Sequence, residues 1–328
     1  MKKQSILVLV FVMSQLISLA QFFNKDNGLA HTFSIVARDP VRGEMAVGVQ
    51  SHWFSVGTSV VWGEAGVGVV ATQSFINKSY GIKGLELMKQ GKTAPEALQQ
   101  LLALDEAREV RQVAMIDTNG NVNAFTGKNC IDYAYQIVGK NYSVQSNMML
   151  TDKVCSAMSK AYEASIGKPL AERVLMALQA AQSVGGDIRG RQSAAILVVA
   201  GKKSDQPWND RLIDLRVDDH VAPLNEMDRL LRLFRAYQHM DKGDLATEKN
   251  NMPLAMEEYG AAMKMFPSNL EMKYWTAITL ANNKKVKQAA EILQAIYKQD
   301  ANWRELTKRL PKVNLLTVTG DELKELIK

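Results

Sequence analysis

The chain has 328 residues, 47% of them hydrophobic, and a formal net charge of +6. That length and apolar content belong to a packed globular protein with room for two domains, which excludes disorder as the default state. Lys and Arg are mixed among Asp and Glu, so no basic arm of the kind that grips nucleic acid is present, and the spacing of Cys130 and Cys155 fits no zinc or redox motif.

The amino terminus reads as a targeting segment. Lys2-Lys3 precede an apolar run from Ile6 to Leu19, broken only by Ser14, Gln15 and Ser18, and Ser18-Leu19-Ala20 supplies the small residues that a signal peptidase reads. A signal peptide over 1–20 is expected, because the run is shorter than the ~20 apolar residues of a spanning helix. Export to a periplasmic or extracellular location follows, with no further membrane span. Export would permit a Cys130 to Cys155 disulfide without demanding one; two buried free thiols are the alternative.

Residues 21–31 form a polar leader without a period. From Thr32 to Ala37 the residues are β-branched, aromatic or small, Asp39-Pro40-Val41-Arg42-Gly43 makes a turn, and Glu44 to Gln50 alternates, so a first hairpin is expected with Thr32 at its head. Short strands are expected over Thr58 to Trp62 and Val67 to Gln73. Helices follow over Ile82 to Gln90, closed by Gly91, and after Thr93, whose Pro95 and Glu96 complete a capping box. Strands return at Val110 to Ile116 and Val122 to Phe125 around an Asn-Gly turn, with short strands or loops over Ile131 to Gly139 and Tyr142 to Gln145. Two amphipathic helices, Asp152 to Ile166 and Pro169 to Ser183, precede a glycine-rich turn and strands at Ala194 to Val199 and Leu212 to Val217. Strands alternating with helix pairs predict an α+β fold of sheets with helices in outer layers.

After Pro223 the composition shifts to Leu, Met, Ala, Lys and Glu at helical spacing, with one weak strand-like stretch at Leu315 to Thr319. Ala255, Tyr259 and Pro267 recur as Ala289, Leu293 and Ala301, a spacing equal to the tetratricopeptide period of ~34 residues. The expected domains are therefore residues 32–222 and an all-α, tetratricopeptide-like region over 223–328 that could hold a protein partner.

Several words of sequence together resemble the domain of unknown function 1028 family. They are Thr32-Phe-Ser-Ile-Val-Ala-Arg-Asp39, Gln50-Ser-His-Trp-Phe54, Ala65-Gly-Val-Gly68, Ala71-Thr-Gln-Ser-Phe75 with Asn77 and Ser79-Tyr-Gly81, Ser143 to Met148, and Gly186-Asp-Ile-Arg-Gly-Arg-Gln-Ser193. That family is grouped with the N-terminal-nucleophile (Ntn) hydrolases, so the resemblance implies a four-layer αββα sandwich. It also implies a nucleophile at Thr32, which many family members carry directly after the initiator Met. A free α-amine on Thr32 would take the proton of its own hydroxyl, and an acyl-enzyme would form and be hydrolysed. Here the segment 21–31 stands in front, so a cut between His31 and Thr32 is required.

The expected partners of Thr32 are Ser51 and His52 at the end of the second strand, and the amides of Gln73, Asn77 and Asn147, which could stabilise an oxyanion. Asp187, Arg189, Arg191, Gln192 and Ser193 form the second candidate site: two arginines on a glycine-rich turn could hold a substrate carboxylate, or Asp187 could pair with one of them and stiffen the turn. No cofactor or metal is expected, since no G-x-S-x-G, H-E-x-x-H or phosphate loop occurs and Asp218-Asp219-His220 reads as a solvated loop. The expectation is an exported hydrolase acting on an amide in a small or peptide-like substrate. The rival is an inactive protein of the same fold that binds a ligand and uses its tail for interaction.

Overall fold

The computed structural model describes residues 29–328, so the expected signal peptide and residues 21–28 of the leader lie outside the described residues. Contacts divide the chain into two compact units, one up to Asp228 and one from Arg229 onward.

The first unit is built on two antiparallel sheets. One joins β1 (Leu29–Ala30), β4 (Val61–Glu64), β5 (Gly68–Phe75), β6 (Arg111–Asp117) and β7 (Val122–Thr126), with β5 at its centre. The other runs in the order β11 (Arg211–Val217), β10 (Ser193–Val199), β3 (Met45–Ser51), β2 (Thr32–Arg38), β9 (Tyr142–Ser146), β8 (Tyr135–Gly139). Alternation along the strands sorts their side chains. Val36, Val47, Ala195 and Leu197 of the second sheet meet Val69, Ala71, Ala114 and Ile116 of the first in a buried apolar layer. The opposite face of the first sheet carries α2 (Ser79–Lys89) and α3 (Ala94–Leu104), sealed by Val70, Tyr80, Leu98, Val113 and Met115. On the outer face of the second sheet lie α4 (Val154–Ala164) and α5 (Leu170–Ser183). Gly48 lets α5 approach: a Cβ there would stand 2.3 Å from Val174 Cγ1.

The local signals operate as their chemistry predicts. Thr93 Oγ1 accepts from Glu96 N at 3.4 Å and the Glu96 carboxylate accepts from Thr93 N at 2.8 Å, closing the capping box of α3. Asp39 Oδ1 accepts from the amides of Val41 and Arg42, and Gly43 takes φ +75, which completes the first hairpin turn. Two expected strands take other forms. Gly57–Val60 is a single helical turn, α1, before β4: Gly57 packs so close to Ala195 that an added Cβ would lie 2.6 Å from its methyl, and Thr58 Oγ1 bonds Ser55 O. Leu315 to Thr319 is a loop, because Asn282 takes its backbone groups, accepting from Thr317 N and donating to Leu315 O, while Thr319 caps a helix. Cys130 and Cys155 are both buried free thiols, and burial pushes Cys155 up to about 11.

The carboxy-terminal region is helical. It comprises α6 (Pro223–Glu248), which crosses the division between the units, then α7 (Met252–Met265), α8 (Leu270–Asn282), α9 (Val286–Tyr297), α10 (Asn302–Arg309) and α11 (Gly320–Leu326). Asn251 and Asn269 cap α7 and α8 through their side-chain oxygens. Within the second unit, Ala255, Tyr259 and Ala262 of α7 and their counterparts Ala289, Leu293 and Ile296 of α9 are all buried. No helix among the described residues is long and apolar enough to cross a membrane.

Candidate functional site

The apolar layer between the sheets gives way to polar side chains at one end. Thr32 and Ser34 on β2, Ser51 on β3, Gln145 on β9 and Asn147 just beyond it face Gln73 on β5 and Gln112 on β6, all of them buried. A polar row in such a place must satisfy itself. Ser34 Oγ donates to Gln73 Oε1 at 2.6 Å and receives Gln145 Nε2 at 2.6 Å. Gln112 is the hub: its Oε1 accepts from Gln73 Nε2 at 2.7 Å and from Asn147 Nδ2 at 2.8 Å, and its Nε2 donates to Thr126 Oγ1 and Ser146 O.

The backbone leading into this region changes sheets. Leu29 and Ala30 pair with Phe75 and Ser74 of β5 in the first sheet, and Thr32 opens β2 in the second. His31 makes the crossing, and its carbonyl oxygen receives two donors, Ser51 Oγ at 2.7 Å and Arg189 Nη2 at 2.7 Å. The Thr32 carbonyl in turn receives Gln73 Nε2 at 3.2 Å and Asn147 N at 3.1 Å. Thr32 Oγ1, fully buried, has no hydrogen-bond partner. An unpaired buried hydroxyl beside a carbonyl held by one neutral and one cationic donor is a costly arrangement for stability alone.

The arginine is aimed by its neighbour. Asp187, buried, accepts from Arg189 N and Nε through Oδ1 and from Arg189 Nη2 at 2.7 Å through Oδ2, and Oδ2 also accepts from His52 N at 3.1 Å. Thus the Asp187–Arg189 ion pair is a clamp that both stiffens the turn and presents one guanidinium nitrogen to the His31 carbonyl. Asn147 Oδ1 bonds His31 Nδ1 at 2.8 Å, and since Asn147 Nδ2 is committed to Gln112, the imidazole supplies the proton. Burial holds His31 below its ordinary pKa, helped by Arg189 and opposed by Asn147 and Asp187, so the ring is neutral at neutral pH.

Of the residues named from sequence, Thr32, Ser51, Gln73, Asn147, Asp187 and Arg189 come together. His52 contributes its backbone amide, while its exposed ring lies near Gly190. Asn77 spends its side-chain oxygen on Ser79 N at the start of α2, an Asx turn. Arg191 is exposed, on the rim of a separate cavity with Gln182 and Asn225, so the two arginines of the turn do not form a joint fork. Gln192 binds Asp219, and Ser193 Oγ donates to Trp53 O and accepts from Val56 N, which ties down the loop after β3. Asp218 and His220 are engaged in loop hydrogen bonds with Ser55 Oγ and Ala222 N. Sequence reasoning missed His31, Ser34, Gln112 and Gln145. A signal existed for three of them: polar residues at inward positions of otherwise apolar strands.

The family model described as "Family of unknown function (DUF1028)" matches residues 32–227. No curated protein matches the chain. Among solved structures, a DUF1028 protein of Silicibacter pomeroyi is 29% identical with a TM-score of 0.55, over 62% of this chain and 88% of its own. Anbu, an ancestral beta-subunit from Yersinia bercovieri, aligns over 61% of this chain and 94% of its own at 12% identity, with a TM-score of 0.31.

Proposed function

We propose, for a chain that belongs to the DUF1028 family through residues 32–227, that it is an exported Ntn-type hydrolase whose nucleophile is Thr32. The observation that carries this reading is the pairing of an unsatisfied, buried Thr32 Oγ1 with a His31 carbonyl already held by Ser51 and Arg189. The family match also begins at Thr32, and the helix pairs on the outer face of each sheet agree with an αββα sandwich.

In the uncut chain the hydroxyl attacks the carbonyl carbon of His31 through a small ring. The new C–O bond forms as the His31–Thr32 C–N bond breaks, and the hydroxyl proton ends on the Thr32 nitrogen. Ser51 Oγ and the Arg189 guanidinium are aimed at the oxygen where negative charge develops. Water then hydrolyses the ester, leaving a carboxylate on His31 and a free amine on Thr32. That amine serves as base for the hydroxyl in the second reaction, attack on an amide of a small or peptide-like substrate, with an acyl-enzyme as intermediate. The substrate carbonyl takes the place vacated by that of His31, so the same two donors serve twice. The helical region is read as a tetratricopeptide-like module for a protein partner, supported by the buried positions that recur between α7 and α9.

Intact-mass analysis of the exported protein tests this. A mature chain starting at Thr32, and a Thr32→Ala variant that keeps the leader from Gln21, are expected. A stable Gln21 start in an active wild-type protein would overturn the mechanism.

One observation favours a second reading, an inactive ligand-binding protein of the same fold: Leu29 and Ala30, directly ahead of His31, pair with β5. It predicts that the Gln21 start persists and that Thr32→Ala leaves ligand binding unchanged.

A further inference from the structure

The chain itself presents the bond at Thr32, so residues 29–31 stand where the acyl part of a substrate would lie. Leu29 and Ala30 pair antiparallel with Phe75 and Ser74 at the end of β5. One edge of β5 is taken by β6, and on the other edge β4 reaches only as far as Ala71. Among the described residues no strand but β1 pairs with that second edge at Ser74 and Phe75, so departure of the leader opens it to an extended chain.

His31 defines what the position next to the scissile bond accepts. It is 2% exposed, and its ring stands perpendicular to that of Phe75 with the centroids 5.9 Å apart. Its Nδ1 donates to Asn147 Oδ1 at 2.8 Å. Asn147 offers only that oxygen, because its Nδ2 is spent on Gln112 Oε1 at 2.8 Å. The Asn147 backbone amide meanwhile donates to Thr32 O at 3.1 Å, so one residue contacts both sides of the bond.

These contacts select among side chains. An apolar side chain would leave Asn147 Oδ1 without its donor, and a carboxylate would set two acceptors against each other. A lysine or arginine could donate, but Arg189 lies near enough to disfavour a second cation there. A neutral imidazole meets all three conditions: it is flat against Phe75, it has an N–H for Asn147, and it is uncharged beside Arg189.

We propose that the substrate is a peptide with a histidyl residue on the acyl side of the cleaved amide, its ring between Phe75 and Asn147 and its two preceding residues paired with β5 as Leu29 and Ala30 are. This inference rests on the reading of Thr32 as nucleophile. Thr32 Oγ1 bonds to the histidyl carbonyl carbon as the amide C–N bond breaks, and the hydroxyl proton passes by way of the Thr32 amine to the leaving amine. Water then hydrolyses the ester and releases the histidyl carboxylate.

The test takes the exported wild-type protein through intact-mass measurement and then through assays with the aminomethylcoumarin amide of acetyl-Leu-Ala-His. Two comparison amides isolate the two contacts. Thienylalanine in place of histidine keeps a flat five-membered ring and lacks the N–H, and acetyl-His alone lacks the residues that pair with β5. The histidyl tripeptide is expected to exceed each of them in kcat/KM by at least about tenfold. Asn147→Ala should bring the ratio of histidyl to thienylalanyl cleavage toward one. A ratio does not depend on the fraction of protein folded, and the wild-type comparison stands alone should that variant fail to fold. A chain that starts at Thr32 yet cleaves either comparison amide as fast, cleaves none of the three, or keeps its ratio in Asn147→Ala would overturn this inference alone. A wild-type chain that still starts at Gln21 would overturn the nucleophile reading and this inference with it, and the measured mass tells the two failures apart.

Discussion

Arg189 Nη2 lies 2.7 Å from the carbonyl oxygen of His31, across 158 positions of sequence, and Asp187 holds the guanidinium in that direction. This contact connects the glycine-rich turn before β10 to the single peptide bond on which the proposed activity depends.

Removal of either donor to that carbonyl should slow cleavage of the His31–Thr32 bond. Loss of one oxyanion donor commonly costs about 10²–10³ in rate. Ser51→Ala and Arg189→Gln should each accumulate chain with the leader attached, followed by mass spectrometry over time after export. Asp187→Asn, which weakens the aim of Arg189 without removing it, should show a smaller delay. Unchanged processing in all three would separate the carbonyl contacts from the chemistry.

Gln112 should matter for stability beyond what its size suggests. Gln112→Met keeps the volume but leaves Asn147 Nδ2 without its acceptor, and removes the donor to Thr126 Oγ1 and Ser146 O. A loss of about 1–3 kcal/mol in urea unfolding is expected, the usual penalty for orphaned buried polar groups. The same swap on an exposed strand would cost far less.

The pH response of the uncut chain has a defined sign. His31 is neutral in the fold with its pKa below the ordinary 6.5, so on acidification the unfolded chain takes up this proton first. The stability His31 contributes is therefore complete above pH 6.5 and declines as pH falls below it toward the folded pKa. Melting temperatures in the uncleavable Thr32→Ala background should drop on acidification, and His31→Gln in that background should flatten the slope. A steeper slope in the double variant would contradict the assignment.

The contact between α2 and β4 leaves no room for a side chain at Gly81. A Cβ there would stand 2.3 Å from Cγ and Cδ2 of Trp62, whose indole N–H donates to Ser59 O. Gly81→Ala should destabilise by about 1–3 kcal/mol through overpacking. Gly91→Ala is the useful contrast. Nothing lies within 4 Å of that Cβ, so its cost is the strain of φ +94 alone, on the order of 1 kcal/mol. Thermal unfolding of the two variants side by side distinguishes packing from backbone strain.

Much of this protein was legible in the order of its residues. β-branched, aromatic and small residues marked β2, alternation over Glu44 to Gln50 marked β3, turn chemistry placed the Asp39 to Gly43 hairpin, and the Thr93 capping box opened α3 where expected. The recurrence of Ala255 and Tyr259 as Ala289 and Leu293 marked helical positions that are buried. These features depend on neighbours a few residues away, so their physics is complete within a short window. Direction across the molecule depends on distant partners. Spacing made Arg189 and Arg191 equivalent, and only the approach of β1 and β2 gave one of them the His31 carbonyl while the other stayed in solvent. Spacing likewise made His52 a neighbour of Thr32, yet its ring points outward because Asp187 takes its amide. The stretch from Thr58 could have extended as strand, but the closeness of Gly57 to Ala195 favoured a helical turn. Sequence thus determined which polar residues face inward. The meeting of the two sheets decided which of those groups pair, and which hydroxyl, that of Thr32, is left without a partner.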